Sequence, residues 1–401
     1  MSKRFIAPAL ADLSQDIAGV IPVDLIQNWA ETPKDLVAQK KLLAPHTKIG
    51  TVVSSDSAGL SKLASQKTLL EVMKLVSEPK EIIFSYGKHI GGEAVGIWAA
   101  DNTQMFYGEG IDPSSIIHQM VLAQKEIEAL AVKVGLCAHH GEFILLGGGI
   151  FGHDAELVEE IAENHTSGGE ILVTNLLKQK LSSEIIKNLT QSAHEHALKI
   201  NYSGLSILGE KSKDYMYPTP FTVDFFEAVR NIDLSDSSQL EKMYQKYSFD
   251  KIVVLTKVNH TPRTLLLDSL TDWTLANAIT TNLAKTYGIE MIKSNGSLGI
   301  YVTESIEQAV EFSLDLRIAM RDNGYIVTTG ISKGEVLIFP LENGDKEIAG
   351  NPVNVASKVA EDAGEQGCIF IESSADSMES DGNVEEFEIS ISGVSIKGKK
   401  I

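Results

Sequence analysis

Four landmarks occur twice in this chain, in the same order. Asp56, closing the apolar run Thr51-Val-Val-Ser-Ser, is matched by Lys257 after Ile252-Val-Val-Leu-Thr, and Lys88-His-Ile-Gly-Gly92 by Lys293-Ser-Asn-Gly-Ser297. Gly141-Glu142 is matched by Gly334-Glu335, and Gly152-His-Asp-Ala-Glu156 by Gly350-Asn-Pro-Val-Asn354. Each pair is separated by about 200 residues, whereas chance matches of short glycine motifs would scatter; the spacing therefore predicts two copies of one domain.

The 401 residues, 43% hydrophobic and 22% charged, give each copy enough chain to bury a core of its own. The net charge of −19 argues against a nucleic-acid backbone or an anionic membrane as general partner. Cys137 and Cys368 are the only cysteines and lie at unmatched points of the repeats. This predicts reduced thiols in a cytoplasmic protein rather than a disulfide framework. The opening Met-Ser-Lys-Arg-Phe-Ile-Ala-Pro-Ala-Leu is broken by Pro8 and Asp12, so neither a signal peptide nor a membrane span is expected.

Residues 1–47, with Pro8, Pro22, Pro33 and Pro45, read as short helices between breaks. The first domain is expected over 48–211, a polar linker over 212–249 and the second domain over 250–401. In the first copy the pattern predicts a strand over 49–55, a helix over about 60–76, and a hairpin of strands 81–90 and 93–100. A helix over about 114–132 follows, then two strands meeting near Gly141, a short helix over 155–164 and a strand over 170–174. The core order is βαββαβ, an α+β class similar to the ferredoxin-like split motif, with helices packed on one sheet face.

Gly350-Asn-Pro-Val-Asn-Val-Ala-Ser-Lys-Val359 resembles the Gly-x-x-Val-Asn-x-Ala-x-Arg-Leu segment of the class III nucleotidyl cyclase homology domain, and Ile292-Lys-Ser-Asn-Gly-Ser297 is similar to its Ile-Lys-x-x-Gly turn. The resemblance spans both repeats and implies two cyclase-type domains forming an intramolecular pseudo-dimer. In that family two carboxylates hold Mg²⁺ or Mn²⁺ at the phosphates of a nucleoside triphosphate. A Lys and an Asp read the base, and an Asn and an Arg position the ribose and stabilise the transition state.

Carried over, the resemblance makes Asp56 the first metal carboxylate and puts Gly92 in place of the second, an incomplete site for Mg²⁺ or Mn²⁺. It makes Lys293 and Glu347 the base-reading, nucleotide-binding pair, Asn354 the ribose-orienting residue, and Lys358 the stand-in for the transition-state Arg. Lysine keeps the charge but lacks the planar bidentate fork. The reciprocal site is poorer: Lys257 and Ser297 occupy its metal positions, and Lys88 is followed by Gly149, Glu156 and Glu160 at the Asp, Asn and Arg positions. The resemblance thus implies a degenerate cyclase, nucleotide-binding or regulatory, with ATP and a regulatory protein as expected partners. The alternatives are an adenylate cyclase at one composite site, with Glu93 or a nearby carboxylate supplying the missing ligand, and a scaffold that binds no nucleotide.

Simpler roles exist for the same residues. Asp56 could cap a helix, Glu347 could be a hairpin surface charge, Lys293 could be solvated, and Asn354 and Lys358 could be ordinary first-turn helix residues. His139 and His140 are adjacent on a strand and face opposite ways, so a shared metal is not expected. Gly147-Gly-Gly149 reads as a hairpin turn rather than a phosphate cradle.

Overall fold

A computed structural model describes residues 21–59, 67–96, 98, 103–206, 214–219, 221–259, 264–295, 297–342, 344–375, 384–391 and 394–401. The described chain divides into two compact units, residues 43–235 and residues 21–42 together with 236–401. Among the described residues no helix is long and apolar enough to cross a membrane.

In the first unit, β1 (Thr47–Ala58) leads to α3 (Leu69–His89), β2 (Glu93–Val95), β3 (Thr103–Gly108), α4 (Pro113–Ile127), β4 (Lys133–Leu146), β5 (Gly149–Phe151), α5 (His153–His165) and β6 (Ile171–Thr174). After two short helices, β7 (Leu189–Gln191) and β8 (Ala197–Ile200) complete the sheet, and α6 (Val223–Asn231) follows. The helices preceding β1, α1 (Val23–Glu31) and α2 (Leu36–Leu43), fall in the other unit. That unit continues from α7 (Ser237–Tyr247) through β9 (Ser248–Asn259), α8 (Leu266–Tyr287), β10 (Glu290–Asn295), β11 (Leu298–Thr303), α9 (Ile306–Asp322), β12 (Ile326–Pro340), β13 (Lys346–Ala349), α10 (Asn351–Glu361) and β14 (Ile369–Glu372). It ends in the hairpin β15 (Glu385–Ile391) and β16 (Val394–Lys400).

The two sheets have one topology. The first runs β2-β3-β1-β4-β6-β8-β7 with β5 on β4, and the second β10-β11-β9-β12-β14-β16-β15 with β13 on β12. The match extends to register: Gly50 faces Gly141 and Asp56 faces Gly135 in one sheet, where Lys251 faces Gly334 and Lys257 faces Thr328 in the other. The duplication read from the landmarks is therefore a duplication of hydrogen-bond register along the central strand pair.

Each sheet buries a β-branched and aromatic face under helices. Val52, Phe106, Cys137 and Phe143 pack with Val158 and Ile161 of α5, while Val253, Leu255, Val336 and Ile338 pack with Ala356 and Ala360 of α10. α1 and α2 are tied into the second unit by Trp29 Nε1 donating to Asp268 Oδ1 (2.9 Å) and Leu267 N donating to Gln39 Oε1 (2.9 Å). Both ties use polar groups of largely buried residues.

The expected strand over 81–90 is the second half of α3. Ile82, Ile83 and Phe84 suggested a strand, and Pro79 a break. The residues that decide the matter lie earlier. Thr68 and Glu71 form a capping box, with Thr68 N donating to Glu71 Oε2 at 2.7 Å, and Val72, Val76 and Ile83 lie along one buried apolar helical face. The expected pair of strands meeting near Gly141 is the single long strand β4, which crosses Gly141 while facing β1. The Gly147-Gly-Gly149 run is the hairpin turn between β4 and β5, where Gly147 and Gly148 have φ of +57° and +75°.

Candidate functional site

Lys293 and Glu347 are brought together. Lys293 follows a β-bulge in β10, between the pairs Met291–Tyr301 and Lys293–Ile300, which turns its side chain relative to the regular pleat. Its neighbours Ile292 and Ser294 are buried, and Ser294 Oγ lies 2.6 Å from Asn277 Oδ1 of α8. Glu347 lies on β13, opposite Phe339 of β12. Lys293 Nζ donates to Glu347 Oε2 at 2.7 Å, with side chains 30% and 13% exposed. Glu347 Oε1 accepts from the Ile348 amide at 3.1 Å. A second pair, Lys346 with Glu290, also links β13 to β10.

Asn354 and Lys358 sit one turn apart on α10, which begins directly after β13 at Gly350, whose φ is +148°. Asn354 is exposed and Lys358 half-buried. The helix lies so close on β12 that a Cβ on Gly330 would meet Ala356 O at 2.1 Å. The strand at the centre of the sheet thus fixes the height of α10, and with it the positions of Asn354 and Lys358.

Asp56 is half-buried near the end of β1, facing Gly135. It does not cap α3, which starts at Leu69 and is capped by Thr68. Its counterpart Lys257 faces Glu361 of α10 at 4.0 Å. Lys257 and Ser297 supply no carboxylate, so these two positions do not fit a divalent cation. In the first unit Asp56 offers one hard oxygen ligand of the kind that Mg²⁺ or Mn²⁺ takes.

The strand register corrects two matches made from sequence. Gly92 is not the counterpart of Ser297: it follows α3, its amide donates to Gly87 O at 2.9 Å, and a Cβ there would meet the Tyr107 ring at 2.5 Å. It is a glycine because packing requires one. Lys88 is not the counterpart of Lys293, because it lies in the last turn of α3 rather than on a strand. Val52 faces Phe106 and Ser54 faces Gln104, just as Val253 faces Val302 and Leu255 faces Ile300. Val95, opposite Gln104, is therefore the residue matching Lys293, opposite Ile300. Continuing the count from Thr103, which faces Ser55 as Gly299 faces Thr256, makes Asp101 the sequence counterpart of Ser297. Asp101 lies outside the described residues. Nine residues separate Val95 from its partner Gln104, where seven separate Lys293 from Ile300, and the glycine pair at 91–92 imitates the turn, so the match was hidden.

The other first-repeat matches hold. Gly149 faces Leu146 as Glu347 faces Phe339, and Glu156 and Glu160 lie on α5 as Asn354 and Lys358 lie on α10. His139 and His140 do point apart. His139 is buried, with Nδ1 2.8 Å from Thr174 Oγ1 and Nε2 3.2 Å from Asp154 Oδ1, and burial holds its imidazole below the usual histidine range. His140 Nδ1 lies 3.1 Å from Thr51 Oγ1. Lys400 is likewise occupied, contacting Glu365 at 2.8 Å and Glu385 at 3.2 Å.

Two sheets of this topology, each with a long helix between its first two strands and a bulged strand carrying Lys293 in the second, are the class III adenylyl and guanylyl cyclase fold in tandem. Among solved structures, a class III adenylyl cyclase-like ATP-binding protein from Pseudomonas aeruginosa superimposes with a TM-score of 0.51 at 10% identity, covering 82% of this chain and 84% of that one. Single cyclase domains match a smaller share. The guanylate cyclase domain of RhGC from Catenaria anguillulae, in complex with GTP, gives a TM-score of 0.34 at 18% identity over 38% of this chain and 96% of that one. The adenylyl cyclase CyaB from P. aeruginosa gives 0.32 at 14% identity over 38% and 92%. No protein-family model and no curated protein sequence matches the chain.

Proposed function

We propose that the protein binds a purine nucleoside triphosphate, adenine preferred, through its second cyclase-type domain, and acts as a nucleotide-responsive regulator with little turnover. The observation that carries this reading is the Lys293–Glu347 pair, held at 2.7 Å between β10 and β13 at the family's base-reading positions. An ammonium offers three donors, so Lys293 can keep Glu347 while donating to adenine N1, and the carboxylate can accept from the exocyclic amine. Weak turnover follows from Lys358. A point charge replaces the fork that would grip developing charge on the phosphates, and loss of such a donor costs on the order of 10²–10³ in rate.

Isothermal titration with a non-hydrolysable ATP analogue, with Mg²⁺ and with Mn²⁺, beside Lys293→Met, tests the proposal. Heat that weakens in the variant supports it. Displacement by GTP far better than by ATP would reverse the base preference. No heat at millimolar ligand would leave an interaction scaffold.

A second reading, slow cyclic nucleotide synthesis, is favoured by the register count that matches Asp101 to Ser297. With Asp56 it would give the first repeat both carboxylates that the family uses to hold its metal ions. Mn²⁺-dependent cyclic AMP formation abolished by Asp101→Asn supports this reading, and binding without product excludes it.

A further inference from the structure

Glu160 stands at the position matching Lys358, yet it faces two histidines. Glu160 Oε1 lies 2.8 Å from His165 Nε2, and Oε2 lies 3.5 Å from His194 Nε2. The three ligand atoms all fall within 4.8 Å of one another. The residues come from separate elements: Glu160 and His165 from the last turns of α5, and His194 from the turn between β7 and β8. The rings of His165 and His194 approach to 4.5 Å between centroids, and the His194 side chain is 15% exposed.

We propose that Glu160, His165 and His194 of the first unit bind a borderline transition-metal dication, Zn²⁺ by preference, using none of Lys293, Glu347, Asn354 and Lys358 and independent of the nucleotide-binding reading. Two imidazoles and one carboxylate suit zinc, whereas Mg²⁺ and Mn²⁺ favour oxygen-only sets. Ligand atoms 2.0–2.1 Å from one tetrahedral ion stand about 3.4 Å apart. The contacts at 2.8 and 3.5 Å reach the two different oxygens of Glu160, and one ligand atom from each residue falls within 4.8 Å of the others, so side-chain rotation can bring the three to that spacing. A water would take the fourth position.

The surroundings favour a cation. His165 is the last residue of α5, where the helix dipole is negative, and the same helix carries Asp154, Glu156, Glu159 and Glu163. One rearrangement is required. The His196 amide donates to His194 Nδ1 at a long 3.3 Å, so the neutral ring carries its proton on Nε2. When Nε2 ligates the metal, that proton moves to Nδ1 and the contact opens. The bound ion would clamp the end of α5 to the β7–β8 turn.

The test is zinc titration of the full, untagged chain by calorimetry, with ¹H–¹⁵N spectra of the histidine rings. One equivalent of Zn²⁺ should bind, shift the Nε2 resonances of His165 and His194, and resist excess Mg²⁺. Glu160→Gln, His165→Ala and His194→Ala should each weaken binding by at least about tenfold. His196→Ala, outside the ligand set, should retain it. Glu160 is exposed, so Glu160→Gln tests the site without disturbing the core. No binding at millimolar zinc, or affinity unchanged in the His165→Ala/His194→Ala double variant, would overturn the proposal and leave two histidine–carboxylate contacts.

Discussion

Replacing Lys293 by Met keeps most of the unbranched side chain and removes its charge, which separates the two things that the Lys293–Glu347 pair can do. As a cross-link between β10 and β13 the pair is 2.7 Å long but 30% exposed on the lysine side, so solvent screening holds its contribution to stability near about 1 kcal/mol. As a base reader Lys293 supplies a charge-assisted hydrogen bond worth roughly 1.5–3 kcal/mol. That corresponds to about 10- to 150-fold in Kd for the ATP analogue. Glu347→Gln keeps an acceptor oxygen and loses the charge, so a smaller loss, about tenfold, is expected. The assay is analogue binding beside urea unfolding for both single variants and the double variant. Interaction between the two substitutions is expected in both measurements, because the side chains touch. A Lys293→Met protein that loses the expected stability but binds the analogue within twofold of the parent would refute the base-reading role and leave a strand-to-strand ion pair.

Gly330→Ala places a methyl group 2.1 Å from Ala356 O and 2.6 Å from Val359 Cγ2, so α10 must lift off β12. A loss of about 1–3 kcal/mol in urea unfolding is expected, together with weaker analogue binding, because Asn354 and Lys358 ride on that helix. Stability should also fall on acidification. Burial lowers the folded-state pKa of His139 and of His140, so as pH drops through about 6.5 the unfolded chain takes up protons that the folded chain refuses. The urea midpoint should therefore be higher at pH 7.5 than at pH 5.5, and His139→Asn should reduce the difference.

Much of this architecture was legible in the order of residues because register and sequence spacing are the same information along an unbroken strand pair. Gly50 with Gly141 and Lys251 with Gly334 are facing residues in space, so the landmarks reported sheet geometry directly. The segment Gly350 to Lys358 was equally readable, since a glycine at positive φ followed by an amphipathic turn specifies a helix start locally. Lys293 and Glu347 could be singled out individually through the resemblance. Their contact could not, because the two residues are joined only when β10 and β13 are brought side by side.

Tertiary structure decided the rest. The run Ile82-Ile83-Phe84 has a strand's composition and a helix's position, and the cap at Thr68 together with the buried face of α3 outweighs the local preference. Gly92 matched a turn by composition but owes its identity to the Tyr107 ring, and only the β3 register moves the matching count to Asp101. Glu160, His165 and His194 carry no spacing motif, because His194 reaches the end of α5 only after β7 turns into β8. The sequence by itself determined two copies of one sheet, since repeated side-chain patterns along continuous strands encode pairing locally. Which charges meet depends on distances between segments remote in sequence, and packing alone determines those.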